Sequence, residues 1–246
     1  MVVADDLGYG DVTPAGTPNL HALATNGSRF LQFSVASPVC SPSRAGYLTG
    51  HWPARHGIHQ AFGTRANGVS YGMPAFLDPA AVSLPRLLRS AGFATAHFGK
   101  WHLTANDVAR APHPQEYGYD EYKGFNGPPG TAESDVAEIW EDALGFLRRR
   151  GEKPAFVVLA AHQPHTPHRP SAAALARFAG ERKEQRRVYA AVVRGRARSA
   201  SQLASNPPRT SLGCAAHPPP PPSRWHRLDL RPISAQSPPD LRLISA

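Results

Sequence analysis

Seven consecutive residues, Ala155-Phe156-Val157-Val158-Leu159-Ala160-Ala161, carry no polar side chain. A run of that length suits a β-strand, and its unbroken apolar character means that both faces are buried. Strands of this kind lie inside parallel sheets covered by helices, so the chain reads as an α/β protein. Two further segments fit such a sheet. Met1 to Ala4 reads as the end of a buried strand, and Phe93 to Phe98 as a short strand behind an amphipathic helix that Ser83 caps and Gly92 ends.

Each strand runs into polar residues, and strand ends are where open α/β sheets place ligands. After Ala4 comes the turn Asp5-Asp6-Leu7-Gly8-Tyr9-Gly10-Asp11. Adjacent carboxylates repel each other unless a cation lies between them, so Asp5 and Asp6 point to a hard divalent ion held by oxygen; the alternative is a solvated turn. Phe98 leads to Gly99-Lys100-Trp101-His102. Two apart on an extended segment, Lys100 and His102 point the same way and can face one anion, unless Lys100 is exposed and His102 packs on Trp101. The apolar run delivers His162-Gln163-Pro164-His165-Thr166-Pro167-His168 to the sheet edge, as a rigid proline-bounded turn or as part of a site.

A second constraint is Pro38-Val39-Cys40-Ser41-Pro42-Ser43-Arg44-Ala45-Gly46-Tyr47-Leu48-Thr49-Gly50. Pro42 favours an extended or turn conformation at Ser41, and Ser43 suits the N-cap of a helix from Arg44 to Leu48, so Cys40 lies at or just before a helix N-terminus. Free amides and the helix dipole favour an anion there; the plainer alternative is a small buried cysteine at a loop-to-helix junction.

The remaining segments fill in the architecture. Thr17-Pro18-Asn19-Leu20 opens a helix that stops at Asn26-Gly27, and Phe30 to Ala36 alternates as a strand leading to Cys40. His51, His56 and His59 match no zinc spacing and take a structural role. Asn106 to Gly130 reads as a loop whose Tyr117, Tyr119, Tyr122 and Phe125 either stack on a sugar or pack a lid. Ala132 to Arg150 places Val136, Ile139, Trp140, Ala143, Leu144 and Leu147 on one helical stripe. Glu181 to Val193 continues as a helix, and periodicity then fails. Residues 194–246 hold 10 of the 26 prolines, so they are expected as a disordered tail beside a folded domain of residues 1–193. With no later strand to cover it, the sheet edge near Val158 is expected to be open.

Charge separates the same two parts. The net charge is +9, but residues 1–180 hold 15 Lys and Arg against 14 Asp and Glu, whereas residues 181–246 hold 12 against 4. The basic character belongs to the tail and does not make the chain a nucleic-acid binder. Cys40 and Cys214 lie in unlike contexts and give neither a disulfide framework nor a zinc spacing. No apolar run reaches the ~18 residues of a membrane span, and Met1 to Ala4 lacks the basic start and apolar stretch of a leader, which leaves the compartment open.

Cys40-Ser41-Pro42-Ser43-Arg44, followed by Leu48-Thr49-Gly50, resembles the signature of the type I sulfatases, the arylsulfatase-like family, in which the cysteine is oxidised to formylglycine. Tyr47 departs mildly from that pattern, which has an aliphatic or other apolar residue there. Asp5-Asp6 before Gly8-Tyr9-Gly10-Asp11 is similar to the family's N-terminus, where the two aspartates bind calcium. Gly92-Phe93-Ala94-Thr95-Ala96-His97-Phe98-Gly99-Lys100-Trp101-His102 resembles the second signature, where the lysine contacts sulfate and the histidine assists the nucleophile. Pro164-His165-Thr166-Pro167 resembles the segment with a substrate-contacting histidine. The resemblance covers residues 1–193, about the first half of a catalytic domain; the Asp-Asn pair that completes the family's calcium site occurs nowhere in this sequence.

The resemblance implies an alkaline-phosphatase-like α/β fold, a mixed sheet between helices, and a sulfuric ester hydrolase acting on a sulfated small molecule or glycan. Position 40 would be converted by a formylglycine-generating enzyme, with Arg44 and Lys100 holding the oxygens, His102 as base and His165 protonating the leaving alcohol. Asp5, Asp6 and the modified Cys40 would contribute to a calcium shell. The family is usually secretory, lysosomal or extracytoplasmic. Three alternatives stand beside this reading: a truncated sulfatase-like protein with little or no activity, a phosphate or phosphonate monoester hydrolase of the same superfamily, and a basic module acting through its tail.

Overall fold

A computed structural model describes residues 1–14, 16–126 and 134–205. In chain order its elements are β1 (Val2–Asp5), α1 (Pro18–Thr25), α2 (Cys40–Thr49), α3 (Arg65–Ser70), α4 (Leu84–Ser90), β2 (Ala94–Lys100), β3 (Glu121–Phe125), α5 (Ser134–Arg149), β4 (Ala155–Pro164), α6 (Ala172–Ala176) and α7 (Glu184–Ser205). The strands form one sheet in the order β1-β4-β2-β3, and all three pairings are parallel.

The apolar run of β4 takes the middle of that sheet, between β1 and β2. Its side chains alternate between two cores. Leu159 packs with Ala96 and Phe98 of β2 against Ile139, Trp140, Ala143 and Phe146 of α5. Val158 and Ala160 face the other way, toward Ala45 and Leu48 of α2, Trp101, Leu103 and Tyr117. On α5 the buried positions follow helical spacing, with Phe146 buried where the sequence stripe had Leu144.

Several sequence expectations change in the structure. The edge strands are β1 and β3, so Val158 is not at an open edge. No strand forms at Phe30–Ala36: Phe30, Leu31, Phe33 and Val35 are all exposed, and alternation without a pairing strand cannot hold an extended segment. The region read as an aromatic loop contains β3, paired with β2 from Ala96 and Glu121 to Lys100 and Phe125. Tyr117 and Tyr119 are buried around Trp101, at ring distances of 5.0 and 6.2 Å, so they belong to the core rather than to a lid.

Ser83 precedes α4 as expected, but its hydroxyl donates to the Tyr117 carbonyl and does not cap the helix. Helix α7 continues through residue 194 to Ser205, because Arg, Ala, Gln and Leu sustain a helix after the apolar stripe ends, and the first prolines come at Pro207 and Pro208. The expected disordered tail otherwise falls outside the described residues, as do 132–133 at the expected start of α5 and 127–130 of the expected loop. No described helix is long and apolar enough to cross a membrane.

Where β2 and β4 run side by side, Gly99 has φ +105°, and a Cβ there would lie 2.8 Å from the Ala160 carbonyl carbon. Only glycine accommodates both the left-handed backbone and that approach. We predict that Gly99→Ala lowers stability by about 3 kcal/mol or more, the sum of a backbone penalty and an overpacked core. Chemical denaturation of the purified variant would check it, and an unchanged midpoint would refute the steric argument.

Candidate active site

Parallel strands end on the same side of a sheet, and here that side collects the charged residues. β1 ends at Asp5, β2 at Lys100, and β4 carries His162 to its last turn of chain. A register shift between Ala4 and Asp5 sets Asp5 opposite Pro164. α2 begins among these strand ends. Val39 is its N-cap, so Cys40, Ser41 and Pro42 are its first residues, and the Ser43 amide already donates to the Val39 carbonyl at 3.1 Å. Ser43 is therefore not the cap; proline fits the first turn because its missing N–H is not needed there. The Ser41 hydroxyl accepts from the Phe62 amide at 3.0 Å and pins the neighbouring loop.

A buried ion cluster organises the site. Asp5 Oδ1 lies 3.2 Å from Arg44 Nη2, and Asp5 Oδ2 lies 2.5 Å from Lys100 Nζ. Arg44 also donates to the Lys100 carbonyl at 2.5 Å and to the Tyr47 hydroxyl at 3.4 Å. The side chains of Arg44 and Lys100 are each 2% exposed. Burial alone would raise the Asp5 carboxyl, but Arg44 and Lys100 outweigh it and hold the group below its ordinary value. Lys100 Nζ lies 3.6 Å from Cys40 Sγ. Burial and then Asp5 push the Cys40 thiol up, partly offset by Lys100.

Two histidines of the β4 end complete the cluster. His162 Nδ1 lies 3.7 Å from Asp5 Oδ2, and the His162 and His165 rings are 4.7 Å apart. His165 Nε2 lies 3.6 Å from Asp6 Oδ2 while its Nδ1 is 2.6 Å from the Thr166 carbonyl oxygen. Asp5 with His162 and His165, and Asp6 with Cys40 and His165, form two groups whose donor atoms lie within 4.8 Å of one another. A cleft of about 840 Å³ opens beside them, and its lining includes Asp5, Asp6, Cys40 and Arg44 together with Phe33 and Trp52.

The structure thus brings together Asp5, Asp6, Cys40, Arg44, Lys100 and His165 of the sequence-derived set. His102 hydrogen-bonds to Asn126 and Phe62 and to none of these residues, but lies near enough for the charges of Lys100, Arg44 and Asp5 to act on it. The strand stops at Lys100 and His102 has φ +53°, so the alternation that was to aim both residues at one anion is broken. Its Nε2 lies 2.8 Å from the Phe62 carbonyl oxygen, so Nε2 carries the proton and Nδ1 the lone pair. His162 is the residue the sequence reading left out of the site. The signal was its place directly after the apolar run, since β4 continues through it and keeps it buried against Asp5.

The sheet order and the site at the strand ends define an alkaline-phosphatase-like α/β protein. The solved structure of Ps i-CgsB in complex with k-i-k-neocarrahexaose matches with a TM-score of 0.71 at 27% identity, covering 83% of this chain and 53% of that one. A family model described as Sulfatase matches residues 1–203, and the chain belongs to that family. Steryl-sulfatase of Mus musculus is 40% identical over 136 residues, 50% of this chain and 21% of that protein. N-acetylgalactosamine-6-sulfatase of Homo sapiens is 35% identical over 207 residues, 68% of this chain and 39% of that protein. The chain therefore spans less than half the length of these curated relatives.

Two predictions follow from the charges. Asp5→Ala leaves two buried cations without their counter-ion and is expected to lower stability by about 3–5 kcal/mol, whereas Asp6→Ala, at a 55% exposed side chain, changes it by about 0.5 kcal/mol or less. Equal effects of the two in urea unfolding would refute the buried cluster. The second concerns acid. Burial lowers His97 to about 3 and His102 and His162 to about 4, so all three stay neutral when folded. Unfolded histidines bind protons near pH 6.5, so the unfolded state takes up more protons below that pH and stability falls as pH drops. Tm is expected to decline from pH 6.5 to 4.5, with fully buried His97 contributing about 1.4 kcal/mol per pH unit. Asp5, whose lowered carboxyl stabilises above its unfolded value near 3.8, adds to the loss only below that pH.

Proposed function

We propose that this chain carries the reacting centre of a sulfuric ester hydrolase, with position 40 as the nucleophile after conversion of Cys40 to formylglycine. The observation that carries the reading is the meeting of Cys40 with Lys100, 3.6 Å away, beside a buried Arg44. Both cations are buried beside the reactive position, where their donors can hold the oxygens of a sulfate ester while Asp5 and Asp6 balance their charge. Arg44 Nε has no hydrogen-bond partner among the described residues, so the guanidinium retains donor capacity.

Formylglycine, as its hydrate, supplies two hydroxyls on one carbon: one attacks sulfur as the S–O bond to the alcohol breaks, and deprotonation of the other re-forms the aldehyde and expels sulfate. The chain's own residues do the rest. Lys100 and Arg44 balance the charge on the sulfuryl oxygens. His165, when protonated, gives the leaving alcohol its proton from Nε2, the nitrogen turned away from the Thr166 carbonyl. His102 takes the second hydroxyl's proton through Nδ1, the nitrogen that its bond to Phe62 leaves unprotonated.

Calcium fits the residues in kind. Asp5 and Asp6 are adjacent hard carboxylates, and an oxidised position 40 would add a third oxygen donor, of the ~6–8 that the ion prefers. It would supply positive charge beside the nucleophile. The relatives' names, a steryl-sulfatase and an N-acetylgalactosamine-6-sulfatase, and the neocarrahexaose complex of Ps i-CgsB support a sulfated small molecule or glycan as substrate here. A second reading, a sulfatase-like protein with little or no turnover, is favoured by the engagement of both Asp5 oxygens with Arg44 and Lys100, which compete with a metal for that carboxylate.

The test is co-production of the chain with a formylglycine-generating enzyme, peptide mass analysis of position 40, and an aryl sulfate assay. We predict conversion of Cys40, turnover that Cys40→Ala abolishes, and a loss of about 10²–10³-fold in Lys100→Ala. Conversion without turnover would favour the second reading, and a preference for the matched phosphate ester would move the assignment to a phosphate or phosphonate monoester hydrolase.

A further inference from the structure

We propose that, before conversion, Cys40 joins Asp6 and His165 in a three-residue site for a zinc-like divalent ion, with solvent as the fourth ligand. The inference concerns the unconverted chain and does not depend on turnover of any ester.

The donor types are those of a borderline-soft metal. Cys40 offers sulfur, His165 nitrogen and Asp6 oxygen, and these atoms all lie within 4.8 Å of one another. In a tetrahedral zinc site with bonds of ~2.0–2.3 Å, neighbouring ligand atoms stand about 3.3–3.8 Å apart. His165 Nε2 and Asp6 Oδ2 already stand at 3.6 Å. The sulfur needs at most about 1 Å of side-chain movement to reach the same geometry.

A separate observation points to a cation in that space. His165 Nδ1 lies 2.6 Å from the Thr166 carbonyl oxygen, so Nδ1 holds the proton and donates it. That turns Nε2 toward Asp6 Oδ2 at 3.6 Å, a nitrogen and a carboxylate oxygen placed as two ligands of one cation would be. A backbone carbonyl that orients the far nitrogen is the usual support of a metal-binding histidine. Lys100 Nζ, 3.6 Å from Cys40 Sγ, can donate to the sulfur once it is a thiolate. Binding replaces the thiol proton by the metal and releases that proton to solvent. Calcium prefers the opposite donor set, oxygen throughout, so oxidation of residue 40 exchanges a soft ligand for a hard one at the same place.

The experiment uses the untagged full chain, produced without a formylglycine-generating enzyme and carrying Cys214→Ser to remove the other thiol. Cobalt(II) is the probe. The expected result is a thiolate-to-cobalt charge-transfer band that saturates at one equivalent, disappears when zinc is added, and persists in excess calcium. Asp6→Asn and His165→Ala should each weaken cobalt binding at least about tenfold, because a lost ligand removes a coordinate bond. Cys40→Ser should abolish the band, and alkylation of Cys40 in the folded chain should do the same without relying on a variant that folds. Absence of the band, its survival in Cys40→Ser, or unchanged affinity in both Asp6→Asn and His165→Ala would overturn the proposal. None of these readouts measures ester hydrolysis, so failure of the sulfatase reading would leave them intact.

Discussion

The carboxylate of Asp5 holds this structure's chemistry in place. It sits between Arg44 and Lys100, all three buried, and each partner comes from a different element: Asp5 from β1, Arg44 from α2, Lys100 from β2. Buried charges are tolerated only when paired, so removing the carboxylate would expose the cost of both cations at once. The cluster also fixes orientation, since Arg44 reaches past Asp5 to the Lys100 carbonyl and so locks the helix to the end of the strand. Cys40 is one turn before Arg44 on the same helix, and its distance from Lys100 follows from that lock.

The cluster depends in turn on the sheet. Asp5, Lys100 and His162 meet because β1, β4 and β2 are adjacent and parallel, so their carboxyl ends lie on one edge. Gly99 lets β2 approach Ala160 one residue before the strand ends at Lys100. Below the site, His97 packs edge-on against Trp101 at 5.2 Å, so the residues between the two signature positions Gly92 and His102 build core as well as chemistry. α7 is tied to the segment after β1 through Tyr189, whose hydroxyl donates to Asp11 at 2.8 Å.

What was legible in the sequence was set by local physics. The apolar run at Ala155–Ala161 announced a doubly buried strand, and the Ile139, Trp140 and Ala143 spacing announced the helix that covers it. Phe30–Ala36 shows the limit: its alternation is real, but a strand needs a partner, and pairing is not a local property. β3 shows the converse, since Glu121 and Lys123 weaken a strand pattern on an edge where the ladder with β2 nonetheless forms. Of the candidate site, the residues carried by motifs could be named from the sequence, and the structure brings most of them together. The Asp5 and Arg44 contact, 39 positions apart in sequence, and the backbone turn at His102 were not legible there, because both are set by tertiary packing.

The environment of Cys40 bears on which species can react there. Desolvation and the Asp5 carboxylate both disfavour a thiolate, and the single nearby ammonium of Lys100 does not reverse them. A site built for cysteine nucleophilicity would do the opposite and lower the thiol. Here the cationic surroundings are largely spent on Asp5, which leaves the sulfur protonated and weakly nucleophilic. Two changes would remove that penalty. A metal can displace the proton, or oxidation can replace sulfur by oxygen, whose hydroxyls attack after proton transfer to a neighbouring base and need no standing negative charge. The reaction proposed above therefore runs on residue 40 in its oxidised form and not on the free thiol.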